Sequence, residues 1–412
     1  MKPGLKYVLQ ILLLSMLGLG TFQLSAVDFE NDPVINSNEI LDSNYLSSTY
    51  HRVENIGFQN GYYIFNIESD YGRDEILSIP LAKKRIDEIK ILSEAINQFA
   101  SQNQNLSREL RSQFEVRGES AVDILANPFS TASEMASQLR ENLGDTLTGK
   151  SPFTDKYAIE YSYSEPTDPT TAQHKRNVAY QLQLDLYSRN YRVQSFLNSI
   201  ANARSAGRVS AGVNIGQSFF NTSRQSAIDQ QIRIILKNKS LDALNQYHKE
   251  LLQELGANSL LADAFVKQPF LSPTNRTVIL LYLKQIKHVE GIDKLLELIT
   301  TSDNPVTSLD FERLCRALYF YHSRESKFER YINFNAKPAV ISPDNNITIF
   351  EHKDLIIWNE LNIDKFQSLT DLIKKENFKE WQIISLGAFT DTTVRKLNEF
   401  NFSIKQDYLN NN

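Results

Sequence analysis

Residues able to do chemistry are scattered thinly along this chain. The six histidines, His51, His174, His248, His288, His322 and His352, stand at least 30 positions apart. No pair therefore shares a helical face at the close spacing of a metal site, and HExxH is missing. The single cysteine, Cys315, falls inside a helical pattern and reads as a small buried apolar residue. A nucleophilic thiol needs a histidine held beside it, and His322 lies about two helical turns away, too weak a cue to assign one. Gly207, Gly212 and Gly216 sit in GRVSAGVNIG. That run has neither the lysine of a phosphate loop, GxxxxGK(S/T), nor the GxGxxG spacing, and a turning loop accounts for it. Ser218 in GQSFF and Ser120 in GESAV are not nucleophile elbows, and SxxK does not occur, which speaks against a penicillin-binding or serine-lactamase site. Two weak constellations can be named. Asp70, Asp74 and Glu75 cluster at a hairpin end, either as a cation site or as solvated turn carboxylates. Leu386 to Asp391 joins a buried-looking strand to a helix N-terminus, where free backbone donors bind anions; Thr390 as an ordinary N-cap explains it equally. These patterns assign no catalytic residue, no cofactor and no metal ligand.

The elements that would position a site begin after a leader. Lys2 and Lys6 precede an uncharged, leucine-rich run from Tyr7 to Val27, and Leu24-Ser25-Ala26 offers a small-residue cleavage site before Asp28 and Glu30. This is the layout of a secretory signal peptide, residues 1–26, cleaved near Ala26. The alternative is an inner-membrane anchor formed by residues 7–27; Gly18, Gly20 and the polar Thr21, Gln23 and Ser25 weigh against it. No second stretch approaches the ~18 apolar residues of a spanning helix. The mature chain is thus expected in the periplasm or secreted, with any membrane association peripheral. Lys+Arg 44 against Asp+Glu 49 gives −5, and losing Lys2 and Lys6 makes the mature chain −7. A mildly acidic chain without a long basic run argues against nucleic acid as a partner and lacks a cluster for anionic lipid. One cysteine allows no intrachain disulfide, so the cores must hold the fold. The Asn, Ile and Lys usage and the short leader point to a bacterial periplasmic protein.

The hydrophobic pattern predicts an α+β fold, mostly α-helical. Residues 27–47 read as a flexible lead. Residues 48–105 read as a β-meander plus helix: strands over 51–58, 62–67 and 74–79, an Asn60-Gly61 hairpin turn, and a helix from Leu81 with the stripe Ile86, Ile89, Leu92 (or Ile91), Ile96 and Phe99. Residues 106–150 read as short amphipathic helices and 151–173 as a linker carrying Pro152, Pro166 and Pro169. Residues 174–330 form a helical domain whose stripes end at stops such as Gly207, Gly256 and Gly291; short loops imply a bundle. Residues 331–412 form a small α/β domain with a partly parallel sheet.

Three stretches resemble an uncharacterised family of exported bacterial cell-envelope proteins: GYYIFNIESDYGRDEILSIPLAKKRIDEI (61–89), RNVAYQLQLDLYSRNYRVQSFLN (176–198) and WQIISLGAFTDTTVRKLNEFNFSI (381–404). The resemblance implies export and an order of parts; no activity or site residue comes with it. The expected function is that of a non-catalytic envelope protein that binds another protein, or itself, through its helical body. One alternative is an envelope hydrolase with its site between the helical and C-terminal α/β domains. Another is a peripheral membrane protein binding through 119–145.

Overall fold

A computed structural model describes residues 29–102, 105, 108, 110, 165–209 and 226–410. The leader, the helices expected over 106–150 apart from residues 108 and 110, the first part of the linker and the loop with Gly212 and Gly216 lie outside these residues. The fold is α+β.

The segment before the meander carries two helical turns, α1 (Ser37–Ile40) and α2 (Ser43–Leu46), and its Leu41 is buried. The meander follows as β1 (His51–Gln59), β2 (Tyr62–Ser69) and β3 (Gly72–Leu77), antiparallel in that order. Asn60 (φ 52°) and Gly61 (φ 88°) supply the two left-handed residues the tight turn demands,. The strand expected to reach Ile79 stops at Leu77. Ser78 turns at φ 81° and α3 (Ile79–Gln102) starts two residues earlier than the stripe alone predicted. Ile86, Ile89, Leu92, Ile96 and Phe99 are all buried. The first two meet Phe65, Ile67 and Ile76 of the meander in one core. The last three enter the core of the helical body.

That body comprises α4 (Pro169–Leu182), α5 (Tyr191–Ser205), α6 (Ala227–Asn238), α7 (Leu241–Glu254), α8 (Ser259–Lys267), α9 (Pro273–Lys284), α10 (Ile292–Thr300) and α11 (Pro305–Arg324). The linker expected over 151–173 does not extend through Pro169. Pro169 stands instead at the first position of α4, where its missing N–H is no loss and Asp168 caps the helix,. α9 is the centre: Val278 to Leu283 are all buried, and it packs on α6, α7 and α11.

The C-terminal part holds β4 (Arg330–Phe334), β5 (Lys337–Ile341), β6 (Ile347–Glu351), β7 (Leu355–Ile356), α12 (Glu360–Lys375), β8 (Trp381–Ser385), β9 (Ala388–Phe389), α13 (Asp391–Glu399) and β10 (Ser403–Lys405). The main sheet runs β10-β8-β6-β5-β4. β10, β8 and β6 are parallel, while β6, β5 and β4 are antiparallel. Successive residues serve opposite faces. Ala339, Ile349 and Ile383 pack under α12 and α13, and Val340, Phe350 and Ile384 join the helical body. β7 pairs with β9 in a separate ladder, and Leu355, Ile357 and Ala388 complete the meander's core. First and last parts of the chain thus share one core.

Candidate functional site

Two places gather ionisable side chains. The first is a groove along α3. With its apolar stripe turned inward, α3 presents Lys83, Lys84, Asp87, Lys90 and Glu94, spaced at one helical turn, to the opposite side,. Facing it is the loop 183–190. Gln183 ends α4 in the left-handed region (φ 55°), donating its N–H to Ala179 O and Tyr180 O. Gln194 Nε2 donates to Leu186 O and Ser188 O, both at 2.9 Å, and Glu88 accepts from Ser188 Oγ at 2.7 Å and Asn190 Nδ2 at 2.8 Å. The loop is therefore fixed from two helices.

Across the groove Lys84 Nζ meets Asp185 Oδ2 at 2.8 Å. Burial opposes both charges, but the pair wins. Asp185 and Glu88 lift the ammonium above its ordinary value. Lys84, Thr274 and the Tyr187 N–H hold the Asp185 carboxyl below its own. A cleft of about 580 Å³ runs from this pair along α3. A second of about 420 Å³ opens between α4, α6 and α11. Both are lined by Lys84, Gln183, Leu184 and Asp185, so they form one groove of ligand size. In the second cleft Arg316 bonds Asp229 at 2.7 Å and lies 3.4 Å from Glu312. Burial would raise the Asp229 carboxyl, but Arg316 and hydrogen bonds from Ser226 and Tyr282 hold it down. The carboxylates Asp185, Asp229 and Glu312 each face a cation.

The second place is the junction of the meander, α11 and the C-terminal sheet. It lies past the ends of β6 and β8, where the carboxyl ends of parallel strands often form sites. Gly387 fits because a Cβ there would strike the carbonyls of Lys353 and Asp354. Asp354 Oδ2 accepts the Tyr63 N–H at 3.1 Å and the Ile79 N–H at 3.0 Å, so a residue of the loop between β6 and β7 caps the first long helix. Tyr62 OH donates to Asp310 Oδ2 at 2.8 Å. Burial pushes Asp310 up to about 8, with Asp354 adding and Arg313 and Tyr62 opposing. Burial pushes Asp354 up to about 6 against its two backbone donors. His352 Nε2 lies 3.9 Å from Asp310 Oδ2, yet burial and then nearby cations push this imidazole down to about 4. Near neutral pH, both groups of that contact are uncharged.

The fold also unites two histidines that the sequence keeps apart. His288 Nε2 and His322 Nε2 are 3.2 Å apart. The Phe328 N–H donates to His322 Nδ1 at 3.4 Å, which places the His322 proton on Nε2, donated to His288. A metal would need that Nε2 lone pair and an acceptor at Nδ1, so the arrangement does not fit a metal. Among the described residues no group of three His, Cys, Asp or Glu could hold one. Cys315 is fully buried, as expected, and burial pushes its thiol up. His248 sits in the core with Nε2 2.9 Å from Thr277 Oγ1, which in turn donates to Pro273 O.

The hairpin carboxylates part company. Asp74 is no solvated turn residue: Arg85 Nη1 lies 3.3 Å away and Arg192 Nη1 binds its other oxygen. Thr390 caps α13 as expected. The anion at that junction is the chain's own Glu30, whose Oε2 accepts from Thr390 Oγ1 and Trp358 N–H, both at 2.6 Å. Lys84, Asp185, Asp310 and Asp354 went unmarked in the sequence, where the polar face of α3 has the spacing of any solvated helix face.

Fold and sites define a mixed α+β protein with a charged surface groove and a buried carboxylate junction. No family model, no curated protein and no solved structure matches the chain.

Proposed function

We propose that this is an exported protein of the bacterial envelope that binds a protein partner, without catalysing a reaction, through the groove beside its helical body. Export follows from the leader layout of residues 1–26,. The observation that carries the binding reading is the pair of joined clefts meeting at Lys84 and Asp185. Their volumes, about 580 and 420 Å³, are of ligand size,. Asp185 and Asp229 are held ionised by Lys84 and Arg316, so these two recognise charge well and accept protons poorly,. A photo-crosslinking residue at Gln183 in the exported protein tests the reading. A discrete protein adduct, formed in the periplasmic fraction, is expected. No adduct, or accumulation of the chain in the cytoplasm with its leader intact, contradicts it.

Asp310 and Asp354 favour a second reading, a hydrolase acting between the helical body and the C-terminal sheet, because raised carboxylates mark acid–base sites. Their oxygens are engaged by Tyr62, Tyr63 and Ile79, which fits a lock between parts better. Release of dye from labelled cell-wall material, abolished by Asp310→Asn, would reverse this preference. The segment 119–145, expected as a membrane-surface alternative, lies outside the described residues.

A further inference from the structure

Positive charge also gathers where β6 ends, on the sheet face that α12 covers. β5 and β6 pair antiparallel with Ala339 opposite Ile349, and both residues pack under α12. Two residues along the same register, and so on the same face, Lys337 stands opposite Glu351, and the two form an ion pair. Lys337 Nζ lies 5.8 Å from the ring centroid of Phe366 on α12. Lys365, the residue before it, feels both Lys337 and Glu351. Lys353 follows Glu351 by two residues. Its stem lies over the hairpin turn of the meander, where a Cβ on Gly61 would come within 2.5 Å of Lys353 Cδ.

Three ammonium groups thus gather about one carboxylate, in a chain whose net charge is −5. Glu351 is taken by Lys337. Among the described residues, neither Lys353 nor Lys365 has a carboxylate within ion-pair distance. The neighbouring Asp310 and Asp354 are engaged by the Tyr62 hydroxyl and by two backbone N–H groups. Burial, then the Lys365 ammonium, pushes Lys353 down to about 8. Burial, then Lys337, pulls Lys365 below its ordinary value. Both side chains are half-buried, so water reaches them but screens their repulsion only in part. An anion seated among them would relieve that repulsion. Ammonium groups are point charges with rotatable donors, whereas a planar carboxylate is matched best by an arginine fork. A phosphate group offers nearly two charges and several acceptor oxygens to donors arriving from different sides. The place also suits a ligand, because the carboxyl ends of parallel strands often form sites.

We propose that Lys337, Lys353 and Lys365 form a phosphate-binding site at the carboxyl end of β6, which takes free phosphate or the phosphate group of a small phosphomonoester. The site uses none of the groove's residues and goes beyond the binding reading above.

The test is titration calorimetry of the mature chain at pH 7 and low ionic strength, with inorganic phosphate and with glycerol 3-phosphate. At least one of them binds, and acetate at the same concentration does not compete. Lys353→Gln and Lys365→Gln each weaken binding by roughly tenfold or more, the scale of a hydrogen bond to a charged group. Lys287→Gln, on an exposed lysine elsewhere, leaves it unchanged. Tighter binding of the ester identifies a phosphorylated ligand, and tighter binding of phosphate identifies the free ion; either supports the site. Binding of neither, competition by acetate, or unaltered affinity in Lys365→Gln overturns the proposal. Circular dichroism shows whether each variant is folded. Should Lys353→Gln unfold through its contact with the hairpin turn, Lys365→Gln decides. The crosslinker at Gln183 reports on the groove alone, so either result leaves the other free to fail.

Discussion

At Lys84 and Asp185 a cation and a carboxylate meet at 2.8 Å beside an open groove. At the junction, Asp310 and Asp354 are shut in with a tyrosine hydroxyl and two backbone donors. The groove keeps its charges and balances them, whereas the junction suppresses them. A balanced pair at a wet surface contributes little stability and leaves the charges available to a partner. A buried carboxyl that caps backbone N–H groups contributes far more, because removing it leaves donors with no water to turn to. The difference separates a surface built for recognition from a seam that holds first and last parts of the chain together.

The most severe way to break this contrast is at the seam. Asp354→Ala strips the acceptor from the Tyr63 and Ile79 N–H groups and uncaps α3. At ~1–3 kcal/mol for each orphaned donor, a loss of about 2–6 kcal/mol is expected in urea unfolding. A loss within 0.5 kcal/mol would deny the junction its structural role.

Next in size is the pH dependence set by Asp310. Its pKa in the fold, about 8, is above the ordinary carboxyl value of 3.8. Between these values the folded state binds more protons than the unfolded one, so this group's contribution to stability falls as pH rises through the window. The slope approaches roughly 1.4 kcal/mol for each pH unit where the group is protonated only in the fold. Asp310→Asn keeps the neutral form and should flatten the fall between pH 5 and 8 in urea midpoints. An unchanged profile would show that Asp310 ionises normally.

Lys84→Ala should cost less, about 1 kcal/mol, because solvent reaches Lys84, whose side chain is 38% exposed, and because Thr274 and Tyr187 still serve Asp185,. The depressed Asp185 pKa contributes stability above its unfolded value that is lost as pH falls through the folded one,. The variant should lose part of that acid limb, with the Asp185 carbon resonance titrating at higher pH than in the unaltered protein. The smallest effect belongs to Lys237→Gln, a groove residue without a carboxylate partner among the described residues. Its urea midpoint should stay within about 0.5 kcal/mol of the original, and a larger loss would make Lys237 a structural residue.

Much of the architecture was legible because it rests on local rules. Asn60-Gly61 names its turn, Ser240 caps α7 through the Ala243 N–H, and the α3 stripe is buried throughout. Ile347 to Glu351 and Trp381 to Ser385 alternate between two cores, and the parallel pairing expected from the βαβαβ order is present. The two charged sites were not legible, because each is assembled across great distances in sequence. Lys84 finds Asp185 101 positions away, and Asp354 finds Tyr63 across 291. On the helix alone, Lys83, Lys84, Asp87, Lys90 and Glu94 are indistinguishable from a solvated face. His288 and His322, 34 positions apart, are joined by the packing of the loop after α9 on α11. Pro169 misled because its role at a helix start depends on Asp168 before it.

The division between groove and seam is tested most directly by paired photo-crosslinking in the exported protein, with the probe at Gln183 in the groove or at His352 beside the junction. A discrete protein adduct from position 183 and none from position 352 is the predicted result. Adducts from 352 with none from 183 would contradict it and place recognition at the junction.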